Sequence, residues 1–420
     1  MQSLHIVSLT HAQVVIAWIV FLVSYFVFAA GHLPGTKVDR PSIAVIGAVL
    51  MVLFRVSSGA DALKSVDFTT VVLLFAMMVI VAALHLAGFF DWTAHHVIER
   101  LTPTQLLPGV IFTTGILSAF LVNDVVCLFM TPLVLRICRR MGREPLPYLL
   151  GLAMASNIGS TATITGNPQN ILIGSVSRIS YLHFLSRLGP VAAIGLFIAW
   201  AILHLTFRDA LRRVAVGVTS PQREAVHAPA QQGPYLWFPV AVTIAVLAGF
   251  LAGVSPAVIA AAGAALVLLA TTHPPRKIFA EVDWSLLILF AGLFVIIGAA
   301  EQAGISRHFL AAAERLNLHN VVIFTAAVTI LSNIVSNVPA VMLFRNFVEH
   351  LPDAHNVWLI LAMASTLAGN LTITGSIANM IVVEKARPDV HISFAQYLRI
   401  GVPVTFATLI VGLAWIMWTA

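Results

Sequence analysis

Between Ser156 and Asn170 an otherwise apolar stretch of this chain carries nine polar side chains, two glycines and a proline in 15 residues. A lipid-facing helix cannot hold such a segment. Irregular backbone at membrane depth survives only where protein buries it or where it lines a wet cavity. The pattern returns 209 residues later. Leu152-Ala153-Met154-Ala155-Ser156 matches Leu361-Ala362-Met363-Ala364-Ser365, Thr163-Ile164-Thr165-Gly166 matches Thr372-Ile373-Thr374-Gly375, and Asn170 matches Asn379. Ten of the 20 positions from Leu152 to Ile171 are identical to their counterparts. Upstream, Ile116-Leu117-Ser118 recurs as Ile330-Leu331-Ser332, Asn123 as Asn337, and Phe75-Ala76 as Phe290-Ala291. Generic small-residue helix sequence does not produce separate patches at nearly constant offset.

Most of the surrounding runs approach membrane length, about 20 apolar residues per span, with a shorter one at Ile43–Phe54. They fall at Ala12–Ala30, Ile43–Phe54, Thr69–Gly88, Phe184–Phe207, Tyr235–Ala252, Pro256–Thr271, Trp284–Ala303 and Ala395–Trp418. Interrupted stretches occupy Gln105–Leu135, the run from Pro147, Val321–Phe347 and Val357–Val383. Hydrophobic residues make up 59% of the chain and charged residues only 10%, against about 25% charged in a soluble domain. A soluble enzyme and a disordered chain are both excluded. Lys plus Arg exceeds Asp plus Glu by 23 to 17, which fits basic cytoplasmic loops and calls for no nucleic acid. Cys127 and Cys138 cannot build a disulfide framework or a metal set. No Walker, HExxH or GxSxG motif occurs. The chain is therefore not expected to be an enzyme or to need a cofactor, and any ATPase that acts with it is a separate subunit. The N-terminus lacks a basic n-region and cleavage site and reads as mature sequence.

The expected fold is an all-α polytopic membrane protein in the lipid bilayer, with two repeats at 12–207 and 235–418 joined by a polar cytoplasmic linker at 208–234. Each half has about five spans, one of them a discontinuous helix, plus one re-entrant hairpin, Gln105–Leu135 or Val321–Phe347. Five crossings is an odd number, so the repeats are inverted. The side holding Lys37, Arg40, Arg136, Arg139, Arg140, Arg143, Arg208 and Arg212 carries the Lys/Arg excess and reads as cytoplasm. Both termini then lie outside the plasma membrane. The charge count leaves the depth of the hairpins open.

Repeats with matching breaks are the mark of a secondary transporter. Carbonyls freed at a break, with Ser, Thr and Asn oxygens, can coordinate a hard cation such as Na⁺. The N-terminus of the following half-helix can face an anion. The hairpin tips, Asn123-Asp124 and Ser336-Asn337-Val338-Pro339, hold residues that cap helix ends and would enclose a polar pocket with the breaks. Asp124 stands out, because an ionisable group inside a membrane is a functional candidate by default. It can bind Na⁺, carry a proton or pair with an arginine. Its repeat mate is Val338, so the two sites differ chemically. His85 and Glu301 occupy matching span ends and read as interfacial; Asp67 and Asp283 read as helix caps.

Val122-Asn123-Asp124 with Thr131-Pro132, and Asn157-Ile158-Gly159-Ser160-Thr161 leading to Gly166-Asn167-Pro168-Gln169-Asn170, resemble the ion transporter superfamily. So do Ser336-Asn337-Val338-Pro339 and Gly369-Asn370-Leu371-Thr372 leading to Gly375-Ser376 and Asn379. That group includes arsenite permeases, D-type sodium/proton antiporters, citrate and dicarboxylate/sulfate symporters and the melanosomal P protein. The resemblance implies a homodimer in which a transport domain moves like an elevator against a scaffold. It places one cation or coupling site at Asn123, Asp124, Ser156, Asn157 and Thr161, and another at Ser336, Asn337, Ser365, Asn370 and Thr372. Substrate would lie between the tips, touching Asn123, Asp124, Thr163, Asn337, Val338 and Thr372. The dicarboxylate branch carries Ser-Asn-Thr at both tips. Losing both threonines and gaining a carboxylate argues against a dianion held in that way, and is closer to the arsenite-permease and antiporter side. The expected function is secondary active transport of a small anion or oxyanion, or an uncharged hydroxide of arsenic or antimony, driven by H⁺ or Na⁺. The alternatives are a sodium/proton antiporter and a sodium-coupled di- or tricarboxylate or sulfate symporter.

Overall fold

A computed structural model describes residues 9–98, 100–212, 235–351, 354–387 and 389–419. The first half contains α1 (His11–Ala30), α2 (Arg40–Leu53), α3 (Gly59–Ser65), α4 (Phe68–Leu86), α5 (Phe89–Thr93), α6 (Leu106–Phe120), α7 (Asn123–Arg140), α8 (Leu146–Ser160), α9 (Pro168–Ser177) and α10 (Tyr181–Thr206). A short α11 (Arg208–Arg212) opens the polar linker; residues 213–234 lie outside the described residues. The second half contains α12 (Trp237–Leu251), α13 (Pro256–Ala270), α14 (Pro275–Ala280), α15 (Trp284–Gln302), α16 (Ile305–Arg315), α17 (Val321–Val335), α18 (Asn337–Glu349), α19 (Ala354–Ala368), α20 (Ile377–Ala386) and α21 (Phe394–Trp418). Element for element, α1–α10 are repeated by α12–α21.

Local chemistry starts these helices at equivalent places. Asp67 and Asp283 cap α4 and α15 by accepting backbone N–H bonds in their first turns. Ser180 and Ser393 do the same for α10 and α21. Such caps satisfy donors that the helix itself leaves unpaired. Among the described residues, five helices (α1, α4, α10, α15, α21) are long and apolar enough to cross a membrane unaided. The shorter ones cross in tandem or turn back. α6–α7 and α17–α18 form the two hairpins, whose tips are Val122 and Ser336.

The inversion can be read from one contact. Glu281, just before Asp283, lies 3.9 Å from His85 near the far end of α4. The equivalent caps Asp67 and Asp283 therefore sit at opposite ends of the molecule. The halves also exchange partners symmetrically. α2 packs on α15 and α13 on α4; α8 packs on α20 and α19 on α9.

One contact breaks the symmetry. α6 and α8 meet backbone to backbone, and a Cβ on Gly159 would stand 2.0 Å from the Gly115 carbonyl oxygen. The repeat mates of Gly115 and Gly159 are Thr329 and Ala368. Their side chains hold α17 further from α19.

Candidate functional site

α9 and α20 are each 10 residues long. At 1.5 Å per residue each covers about 15 Å, half of a hydrocarbon core of about 30 Å. Both half-helices therefore begin near mid-membrane, where the breaks lie. In the first break Thr163 and Asn167 are extended on either side of a 3-10 turn, Ile164–Gly166. In the second, Thr372 and Ser376 flank the turn Ile373–Gly375 in the same way.

Asn157 joins the two repeats. Its Nδ2 donates to Oδ1 of Asn370 and of Asn379, both at 2.9 Å. Its Oδ1 accepts from Asn123 Nδ2 at 3.2 Å and from Ser376 Oγ at 2.9 Å. Four bonds exhaust an amide's strong donor and acceptor sites. Thr366, the repeat mate of Asn157, mirrors the arrangement. It accepts from Asn167 Nδ2 at 3.1 Å and Gln169 Nε2 at 3.3 Å, and donates to Asn170 Oδ1 at 3.4 Å.

Each break is clamped by the asparagine that follows it. Asn170 Nδ2 donates to the carbonyls of Ser160 and Thr163, both at 3.1 Å. Asn379 Nδ2 donates to Gly369 at 2.6 Å and Thr372 at 3.0 Å. Each break is then pinned to its hairpin. Thr163 Oγ1 donates to the Ala119 carbonyl, and Thr372 Oγ1 donates to Asn333 Oδ1 at 3.1 Å. Asn333 also donates to the Ala368 carbonyl at 2.9 Å.

The structure brings most of the sequence-derived residues together, in distinct roles. Asn157, Thr163, Asn370 and Thr372 carry the framework. Thr161 and Ser365 hydroxyls bond back to carbonyls of their own helices, at Asn157 and Ala362. Asn337, with its amide nitrogen facing two carbonyls, donates to Ser365 and Gly375 and accepts from Gln169 Nε2. Val338 is buried. Ser336 has φ 79° and ψ 158°, a region that glycine alone occupies without strain; Val122 at the first tip is relaxed, with φ −58°. Among these sequence-derived residues, two oxygens are buried without an oxygen or nitrogen partner: Asn123 Oδ1, and Ser156 Oγ beside the Cys127 thiol. Asp124 is half-buried, its carboxyl within reach of the Ala378 backbone N–H in the first turn of α20. That turn has no side-chain cap, so the Asp124 carboxyl faces its unpaired amides.

Sequence reasoning placed Asn167 and Ser376 in the breaks but left Gln169 and Asn333 out of the site. Asn333 was detectable as an amide one helical turn before the Asn337 tip. Ala119 contributes only a carbonyl, which no side-chain pattern reveals. The structure also shows what covers each break. Tyr181 Oη bonds Thr165 Oγ1 at 2.9 Å and packs on Phe250 of α12, ring centres 5.0 Å apart. The cap Asp67 accepts from Ser175 Oγ at 2.6 Å, tying α4 to α9. A separate apolar cavity of about 310 Å³ lies between α16 and the second hairpin, lined by Phe309, Leu331, Leu343 and Phe347 among others.

Inverted halves of membrane-length helices, broken at matching mid-membrane points and interlocked there, define a membrane transporter. The chain belongs to the citrate transporter family (CitMHS), whose model matches residues 16–368. It is 28% identical over 420 residues to a 46 kDa membrane protein of Mycobacterium leprae, covering 93% of this chain and 95% of that one. It is 28% identical over 474 residues to a silicon efflux transporter of Oryza sativa subsp. japonica, covering 96% and 97%. Among solved structures it is similar to MtrF of Neisseria gonorrhoeae, described within a class of antimetabolite efflux pumps, with a TM-score of 0.57 over 97% of this chain and 95% of that one. At 10% identity that likeness speaks for the fold. The chain is a transporter and not an enzyme.

Proposed function

We propose that the chain is a secondary active transporter of a small oxyanion or its uncharged hydroxide, arsenite-permease-like, coupled to a proton or sodium gradient. The observation that carries this reading is the Asp124 carboxyl at the uncapped N-terminus of α20. A helix N-terminus is a ready anion seat, and here the chain supplies its own carboxylate to it. A second carboxylate from a citrate-like substrate would meet like charge there. A neutral hydroxide would not, and an oxyanion would bind once Asp124 takes up a proton. The name of the rice relative, a silicon efflux transporter, is in keeping with this, since silicon's hydroxide is a neutral weak acid in water.

A coupling cation has a partial ligand set in Asn123 Oδ1 and Ser156 Oγ, two buried oxygens without an oxygen or nitrogen partner, with Asp124 on the residue next to Asn123. Three oxygens alone fall short of the shell a hard cation takes, so substrate or water would complete it. The arrangement also favours a second reading, sodium/proton antiport with Asp124 as the exchanging carboxylate. In this account the protein is a homodimer in the plasma membrane with both termini outside and the Asp283 end toward the cytoplasm, moving by an elevator stroke. Liposome flux tests the readings. Arsenite, antimonite or silicic acid movement under an imposed pH or Na⁺ gradient supports the first; Na⁺-driven proton flux without them supports the second. Asp124→Asn should abolish gradient-driven transport in either reading. Gradient-driven transport that survives in that variant would remove Asp124 from both mechanisms.

A further inference from the structure

The two ends of the molecule hold equivalent residues in different states. At one end, Asp67 of α4 accepts Ser175 Oγ of α9 at 2.6 Å and Thr70 Oγ1 at 2.9 Å, and Thr70 and Ser175 hydroxyls lie 2.8 Å apart. The contact is half-buried and ties α4 to the half-helix that leaves the first break. Beside it Tyr181 closes over Thr165. At the other end the repeat mates of Asp67 and Ser175 are Asp283 of α15 and Glu384 of α20. Both are exposed, as are Phe394 and Thr374, the mates of Tyr181 and Thr165. One end is latched and the other is open.

In an inverted-repeat carrier the alternate state exchanges the conformations of the two halves. Resting on the transporter reading above, we infer that Asp283 and Glu384 come together when the open end shuts, and that shutting takes up one proton between them. Exchange puts Glu384 where Ser175 now stands against its aspartate. A hydroxyl donates to a carboxylate, whereas two ionised carboxylates at that separation repel, so one must be protonated for the pair to form. The proton comes from solution at that end and returns there when the gate parts. The closed gate is therefore favoured as pH falls.

Other charged groups share this end. Arg276, Lys277 and Glu281 precede Asp283, and Arg40 of α2 donates to the Phe28 carbonyl. His85 of α4 lies 3.9 Å from Glu281, and Arg139 of α7 pairs with Asp389. Asp124 faces α20, and Lys385 and Arg387 follow Glu384. Lys385 sits about 100° round the helix from Glu384. If Arg387 or another cation neutralised the pair, the gate would show no pH response, and the inference would be wrong.

The test uses the full chain in nanodiscs, without substrate. Spin labels are placed through Ala280→Cys and Ala395→Cys, both exposed; Cys127 and Cys138 are buried. The short-distance population should grow as pH is lowered from about 8 to about 5. Glu384→Gln should hold that population high at every pH. Glu384→Ser, which copies the latch of the first repeat, should do the same. Asp283→Asn keeps a good helix cap and should also lose the pH response. At the latched end, labels at the exposed Leu63 and Leu182 should move apart near neutral pH when Ser175→Glu is introduced. A wild-type distance that ignores pH, or a pH response that survives both Glu384→Gln and Glu384→Ser, overturns the inference. Either result leaves the flux assay unaffected, and a wrong substrate leaves these distances unaffected.

Discussion

In the first break all fifteen residues from Ser156 to Asn170 are buried; in the second, Thr374 is exposed and Leu371, Thr372 and Ile373 are half-buried. Both use the same clamps, Asn170 on one side and Asn379 on the other, gripping equivalent carbonyls. Backbone chemistry is thus conserved between the halves, and cover is not. The first hairpin lies against α8 at glycine distance, while the second is held off by the side chains of Thr329 and Ala368. Its tip is also strained at Ser336. One half is packed as a lock and the other as a door, although the same ancestral pattern underlies both.

The largest expected effect separates the two central residues. Asn157→Leu leaves Asn123, Asn370, Asn379 and Ser376 short of a partner, each at about 1–3 kcal/mol if it stays buried and unpaired. Transport should vanish, and thermal stability in detergent should fall by many degrees. Thr366→Val removes one hydroxyl under weaker bonds of 3.1–3.4 Å and should cost about 1–2 kcal/mol. Equal losses would mean that the halves share the load evenly. The tips should respond with opposite signs. Ser336→Gly relieves a conformation costing about 1–3 kcal/mol and should raise the melting temperature, whereas Val122→Gly loses a buried side chain as well as backbone rigidity and should lower stability by about 2–4 kcal/mol. The smallest contrast lies at the covers. Thr165→Val breaks the buried bond to Tyr181 and should cost about 1 kcal/mol, while Thr374→Val should be close to neutral.

Much of this architecture was legible in the chain itself. Polar residues inside apolar runs mark the breaks, because lipid tolerates them nowhere else, and the offset of 209 pairs Asn170 with Asn379. Asp67 and Asp283 announce themselves as caps and are caps. The asymmetry was not legible. Equal spacing implies equal surroundings, yet Tyr181 covers its threonine and Phe394 does not. The hub at Asn157 was hidden for a related reason. Its partners come from both repeats, and an asparagine reads the same whether it binds a cation or four neighbours. Thr163 looked like a substrate ligand because its partner, the Ala119 carbonyl, has no signature in the side-chain pattern.

The interlock at Asn157 has a consequence for how the protein is made. Its acceptors Asn370 and Asn379 lie more than 200 residues downstream. At about 5–20 residues per second, a ribosome needs roughly 10–40 s to deliver them. During that interval the first half sits in the bilayer with the Asn157 amide nitrogen short of both its acceptors. Biogenesis therefore contains a waiting period before the interlock can close.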